Sequence, residues 1–127
     1  MANILVVDDE ELARFTMREI LENWGHKVFE ARTGAGAGRV LRQSPIEVVI
    51  TDIIMPGEDG VSLTARIRRD HPMTKIIAVS GGGRTTDRDF LTQARVRGAD
   101  HVLAKPFAEK ALIALVKACL NNEETTT

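Results

Sequence analysis

A single cysteine, Cys119, in 127 residues rules out an internal disulfide and fits a reducing, cytoplasmic setting. Within Leu115-Val116-Lys117-Ala118-Cys119 it reads as a small buried side chain, not a reactive thiol. Long hydrophobic runs are missing as well. The longest, Ala111 to Val116, is far short of the roughly 20 residues that a membrane span needs. No basic leader precedes the first apolar run, so a signal peptide is not expected. Charge of one sign is scarce: 17 Lys and Arg nearly cancel 18 Asp and Glu, with no long run of either. Direct nucleic-acid binding through a broad basic surface is therefore not expected. His26, His71 and His101 are scattered and lack zinc-site spacing. What remains is one globular domain with 43% apolar and 28% charged residues, able to bury about two-thirds of its unfolded surface.

Short apolar, β-branched runs occur five times, at Asn3–Val7, Lys27–Glu30, Val48–Thr51, Lys75–Val79 and His101–Leu103. Helical stretches of about ten to fifteen residues separate them, the pattern of βαβ units on a parallel sheet. In the first, Ala13, Met17, Ile20, Leu21 and Trp24 form an apolar stripe, and Gly25 is placed to end the helix. The third helix turns Leu63 and Ile67 inward and stops before Pro72; the fifth uses Leu112, Val116 and Leu120. The second starts at a capping Thr33 but carries Gly34, Gly36 and Gly38, each costing about 1 kcal/mol against Ala in a helix interior. It is expected to be the least stable element. Gly34-x-Gly36 imitates a dinucleotide fingerprint, but the third glycine is replaced by Arg39, and the loop after the first strand holds Asp8-Asp9-Glu10-Glu11, which would repel a pyrophosphate.

Four strand ends carry the chemistry. Asp8 and Asp9 follow the first strand, Asp52 ends the third, Ser80 the fourth, and Lys105 follows the fifth. In an open α/β sheet the carboxyl ends of parallel strands converge on one edge, where ligands bind. Two unit charges about 4 Å apart repel by about 4 kcal/mol at an effective dielectric near 20. Three clustered carboxylates therefore call for a cation, and hard oxygen ligands select Mg2+ or a similar ion that shares coordination with a phosphate. Asp9 and Asp52 are the best direct ligands, with Asp8 direct or through water. Asp52 is the candidate nucleophile toward a phosphoryl group. Lys105 could hold a carboxylate at rest and a phosphoryl oxygen afterwards, and a cis bond to Pro106 would aim it over the acidic edge. The Ser80 hydroxyl could donate to a phosphoryl oxygen. The plainer readings are helix capping by Asp8 and Asp9, a solvated surface lysine and an ordinary Gly81-Gly82-Gly83 loop.

Val7-Asp8-Asp9-Glu10, the run from Asp52 through Met55-Pro56-Gly57 to Gly60, Val79-Ser80-Gly81, Gly98-Ala99-Asp100 and Lys105-Pro106-Phe107 occur in that order. Together they resemble the receiver domain of two-component response regulators, from about Asn3 to Leu120. The resemblance implies one flavodoxin-like, doubly wound α/β domain over residues 1–120, with five helices and a five-stranded parallel sheet in the order 2-1-3-4-5. Residues 121–127 would be a polar tail or a linker stub. It further implies that Asp52 accepts a phosphoryl group from a histidine kinase or histidine phosphotransfer protein. Asp9, Asp52 and the backbone carbonyl of Ile54 would hold Mg2+, assisted by Asp8, while Ser80 and Lys105 bind the new phosphoryl oxygens. Such a chain is a cytoplasmic signalling receiver, monomeric or weakly dimeric. It supports its own phosphotransfer and slow autodephosphorylation, and it is not a metabolic enzyme; its output protein is not implied.

Two positions depart from the pattern. Val102 stands where many relatives carry Tyr or Phe, so no ring can swing inward after Ser80, and Ile54 and Gly82 beside the site are uncharged. Three other readings fit the residues less well. A flavodoxin-like FMN carrier would need a Ser/Thr/Gly phosphate loop in place of Asp8-Asp9-Glu10-Glu11. A phosphatase with an aspartyl nucleophile would need a second Asp two residues after the first. A phosphorylation-independent scaffold would not need Asp52, Ser80 and Lys105 together.

Overall fold

A computed structural model describes residues 2–53, 60–80 and 98–121. Along the chain run β1 (Asn3–Val7), α1 (Glu11–Asn23), β2 (Lys27–Ala31), α2 (Gly34–Gln43), β3 (Val48–Asp52), α3 (Gly60–Asp70), β4 (Lys75–Ser80), β5 (His101–Ala104) and α4 (Glu109–Asn121). All strand pairs are parallel, in the order β2-β1-β3-β4-β5. The helix expected between β4 and β5 falls on residues 81–97, outside the described residues; of the tail expected over 121–127, Asn121 closes α4 and 122–127 lie outside them.

The sheet is apolar on both faces because side chains alternate along each strand and helices cover both sides. Leu5, Val7, Val49, Ile76 and Ala78 pack with Ala37 and Leu41 of α2 and Leu63 and Ile67 of α3. Ile4, Val6, Val48, Ile50, Ile77 and Val79 pack with Met17 and Leu21 of α1 and Leu112, Val116 and Cys119 of α4. Near-continuous Val/Ile/Leu runs are what such doubly covered strands require. Cys119 is buried, as expected. Leu120 is partly buried against the α1/α4 face.

The helix boundaries follow local chemistry. Thr33 Oγ1 accepts the Gly36 N–H at 3.0 Å and starts α2 despite its glycines. Gly25 takes φ +89°, a left-handed conformation that ends α1. Trp24 departs from the expected apolar stripe, being half exposed. It lies beyond the last helical residue, in a non-helical conformation, so the 3.6-residue period no longer turns it inward. The Lys117 ammonium sits 4.8 Å from its ring centre, covering the indole from the α4 side.

The amino edge of the sheet is locked by one arginine. Arg68 of α3 donates to the carbonyls of Gly98, Pro72 and Thr74 and to Asp100 Oδ2 at 2.6 Å. The same Asp100 oxygen accepts the Ile76 N–H at 2.8 Å. Gly98-Ala99-Asp100 is thus an anchor binding the entry to β5 to α3 and β4. Gly98 adopts φ +126°, and a Cβ there would meet Arg68 Cγ at 2.9 Å. Gly98→Ala should therefore lower unfolding stability by about 2 kcal/mol. Urea titration should also show a smaller loss when the change is made in an Arg68→Ala background, where the contacts with Arg68 Cγ and Nε are removed.

Candidate functional site

Four strand ends meet at the carboxyl edge. Asp8 extends β1, its N–H donating to the Ala31 carbonyl at 3.1 Å. Asp52 is the last residue of β3, in register with Val79. Beyond β5, the Lys105 N–H donates to the Ser80 carbonyl at 2.8 Å, holding these two residues side by side. The Lys105–Pro106 peptide is cis.

One carboxylate oxygen each from Asp8, Asp9 and Asp52 lies within 4.8 Å of the others. Asp8 is fully buried, while Asp9 and Asp52 are half-buried. Lys105 Nζ lies 3.3 Å from Asp8 Oδ2. Asp8 Oδ1 accepts the Glu10 N–H at 2.9 Å. The sequence-derived candidates Asp8, Asp9, Asp52, Ser80 and Lys105 are therefore collected at one edge. Ile54 and the Gly81-Gly82-Gly83 loop lie outside the described residues. Capping does not account for the acidic pair: the N-cap of α1 is Glu10, without a side-chain capping bond. A solvated lysine does not describe Lys105, which reaches a buried carboxylate.

The donor set consists of carboxylate oxygens with no imidazole or thiolate, which fits Mg2+. Lys105 offsets charge at Asp8 from the other side. Asp9 and Asp52 are the half-buried members of the cluster.

Arg14 was not among the expected site residues. It is only 8% exposed; Nη1 donates to the Asp8 carbonyl at 2.8 Å and Nε to Glu30 Oε1 at 3.0 Å. Glu30 also accepts from Arg18. Hydrogen bonding from Arg18, with Arg14 adding to it, holds the Glu30 carboxyl below its usual range. A signal was present: Arg14, Met17 and Leu21 share i, i+3, i+7 spacing, which places an arginine on the inward stripe.

Beside the acidic edge α1 presents Leu12, 76% exposed, and Phe15, 53% exposed. A groove of about 450 Å³ runs past Leu12, lined also by Thr16, Ile20, Lys105 and Phe107 among others. Phe107 is partly buried against the α1/α4 core.

The sequence matches the response regulator receiver domain family over residues 4–117. It is 30% identical over 124 residues to the transcriptional regulatory protein SrrA of Staphylococcus aureus, covering 98% of this chain and 50% of SrrA. The chain thus spans about half the length of the curated relatives it matches. A response regulator receiver domain protein from Clostridium thermocellum superposes with a TM-score of 0.89 at 29% identity, over the whole of both chains. The beryllofluoride-activated NtrC4 receiver domain, solved as a dimer, gives 0.86 at 30% identity over 96% of this chain and 98% of that one. With a five-stranded 2-1-3-4-5 sheet and an aspartate cluster at its carboxyl edge, this chain belongs to the response regulator receiver domain family, the phosphorylation-controlled modules of two-component signalling.

Proposed function

We propose that Asp52 is the phosphoacceptor of this receiver, and that its donor is a phosphohistidine on a histidine kinase or histidine phosphotransfer protein. The observation that carries the reading is the meeting of Asp8, Asp9 and Asp52 at the strand ends, with Lys105 against Asp8. A relative of 30% identity in a beryllofluoride-activated form supports it. Asp9 and Asp52 would hold Mg2+ directly, helped by Asp8 and the Ile54 carbonyl. When bound, the cation supplies positive charge against the carboxylates and the transferring phosphoryl oxygens. An Asp52 carboxylate oxygen attacks phosphorus, the phosphorus–nitrogen bond of the donor breaks, and its electron pair returns to the imidazole. The Lys105 ammonium and the Ser80 hydroxyl bind phosphoryl oxygens of the product.

Ile54 and Gly82 carry no charge, so attack of water on phospho-Asp52 proceeds without an ionised side chain from either, and autodephosphorylation is slow. Val102 is aliphatic and partly buried, which centres the conformational response on the loop after Ser80. The donor docks on α1, where Leu12 and Phe15 expose apolar surface beside the acidic edge. The output protein is open, SrrA being a transcriptional regulatory protein about twice the length of this chain. A cytoplasmic setting belongs to the same reading, and among the described residues no helix is long and apolar enough to cross a membrane.

A small phosphodonor with Mg2+ should add one phosphoryl group by intact mass, and Asp52→Asn should abolish it. Labelling that survives that change, or proceeds equally in chelator, rejects the assignment. Asp9→Asn should raise metal-free stability by about 1–2 kcal/mol by removing like-charge repulsion, while Mg2+ loses its stabilising effect. Melting curves with and without Mg2+ check this, and a metal-free loss of stability argues against a repulsive cluster. Phe15→Ala should slow transfer from a protein donor by about five-fold and leave small-donor labelling unchanged. Equal loss with both donors makes Phe15 structural.

A further inference from the structure

A buried arginine needs a reason, because desolvating a guanidinium costs several kcal/mol unless its donors are satisfied. Arg14 is satisfied in a particular way. Its Nε faces Glu30 Oε1 at the end of β2. Its Nη1 reaches over to the main-chain carbonyl of Asp8, at the start of the acidic loop. A planar guanidinium fixes the angle between its donors. The Asp8 carbonyl is thus held at a set position relative to β2.

The other contacts of Asp8 leave this one necessary. The Asp8 N–H is tied to Ala31, Oδ1 accepts from Glu10 and Oδ2 faces Lys105. The carbonyl leads directly into Asp9, and among the described residues it is Arg14 that holds it. Arg18 gives a natural comparison: it also pairs with Glu30 but is more exposed, and its other partner is Glu22 on the same helix.

We infer that Arg14 is a positioning residue for the cation site, pinning the Asp8 carbonyl to Glu30 so that Asp8 and Asp9 are presented to a divalent cation beside Asp52. The inference rests on the acidic cluster being a cation site. It assigns the geometry of that site to a side chain that touches neither cation nor phosphoryl group. Arg14 acts through the backbone, so its loss loosens the approach of Asp9 without removing a ligand.

The experiment uses the whole chain and Mn2+ as the probe, with free Mn2+ followed by electron paramagnetic resonance and thermal unfolding measured on the same samples. Arg14→Met keeps the buried stem and removes the donors. It should weaken Mn2+ binding roughly ten-fold, the scale typical when a group orienting a metal ligand is lost. The Mg2+ needed for half-maximal labelling by a small phosphodonor should rise in proportion, while the rate at saturating Mg2+ stays within about two-fold, since every ligand remains. Arg14→Lys, with one donor but no fork, should recover part of the affinity. Arg18→Met should lower stability without changing Mn2+ affinity.

Wild-type Mn2+ affinity in Arg14→Met overturns the inference, whatever happens to stability. So does an equal loss in Arg18→Met, which would make the effect a general loosening around Glu30. If Arg14→Met does not fold, Glu30→Gln takes its place, with a several-fold loss expected and none overturning the proposal. Failure of the wild type itself to bind Mn2+ would instead remove the cation-site reading, and the role of Arg14 with it.

Discussion

Asp8 is a fully buried carboxylate, and much of the molecule is arranged around keeping it so. An isolated buried charge is prohibitively costly, so such a group must be paired and hydrogen-bonded. Here β2 takes its N–H, α1 takes its carbonyl through Arg14, Glu10 donates to one carboxylate oxygen, and Lys105 beyond β5 faces the other. These partners come from three parts of the chain: β2, the start of α1 and the segment beyond β5. Satisfying Asp8 therefore ties β2, α1 and the segment beyond β5 together at the carboxyl edge, next to Asp9.

The two ends of the sheet divide the work. At the amino edge Arg68 gathers carbonyls into a clamp, and its guanidinium pairs with the Asp100 carboxylate. At the carboxyl edge the carboxylates of Asp8, Asp9 and Asp52 lie together, with the Lys105 ammonium against Asp8. The first arrangement is stable by itself. The second gathers like charges, and a carboxylate cluster of this kind suits a site that takes a cation and a phosphoryl group. Between them, Val, Ile and Leu side chains buried on both sheet faces supply the cohesion that tolerates the acidic edge. The exposed Leu12 and Phe15 lie beside that edge, on the helix that also contributes Arg14.

Much of this was legible along the chain, because the relevant signals are local. Five β-branched runs marked five strands, the structure extending four of them by one residue at the carboxyl end. Thr33 and Gly25 marked helix boundaries through capping and left-handed φ, which depend on a few neighbouring residues. The carboxylates, Ser80 and Lys105 could be found because strand ends of a parallel sheet must converge. Trp24 was misread because a periodic stripe says nothing about where its helix stops.

By itself, then, the sequence determined the strands, the helix caps, the alternation that makes the sheet two-faced, and the residues that reach its carboxyl edge. Only the tertiary structure decided that Asp8 is the buried member of the cluster, that Lys105, 97 residues away, faces it, and that Arg14 grips its carbonyl. It likewise decided that Gly98-Ala99-Asp100 serves Arg68 at the opposite edge. The reason is range: propensity, periodicity and capping are written within one or two turns of chain. The pairing of a buried charge depends on which distant groups packing brings within about 3 Å, the span of a hydrogen bond.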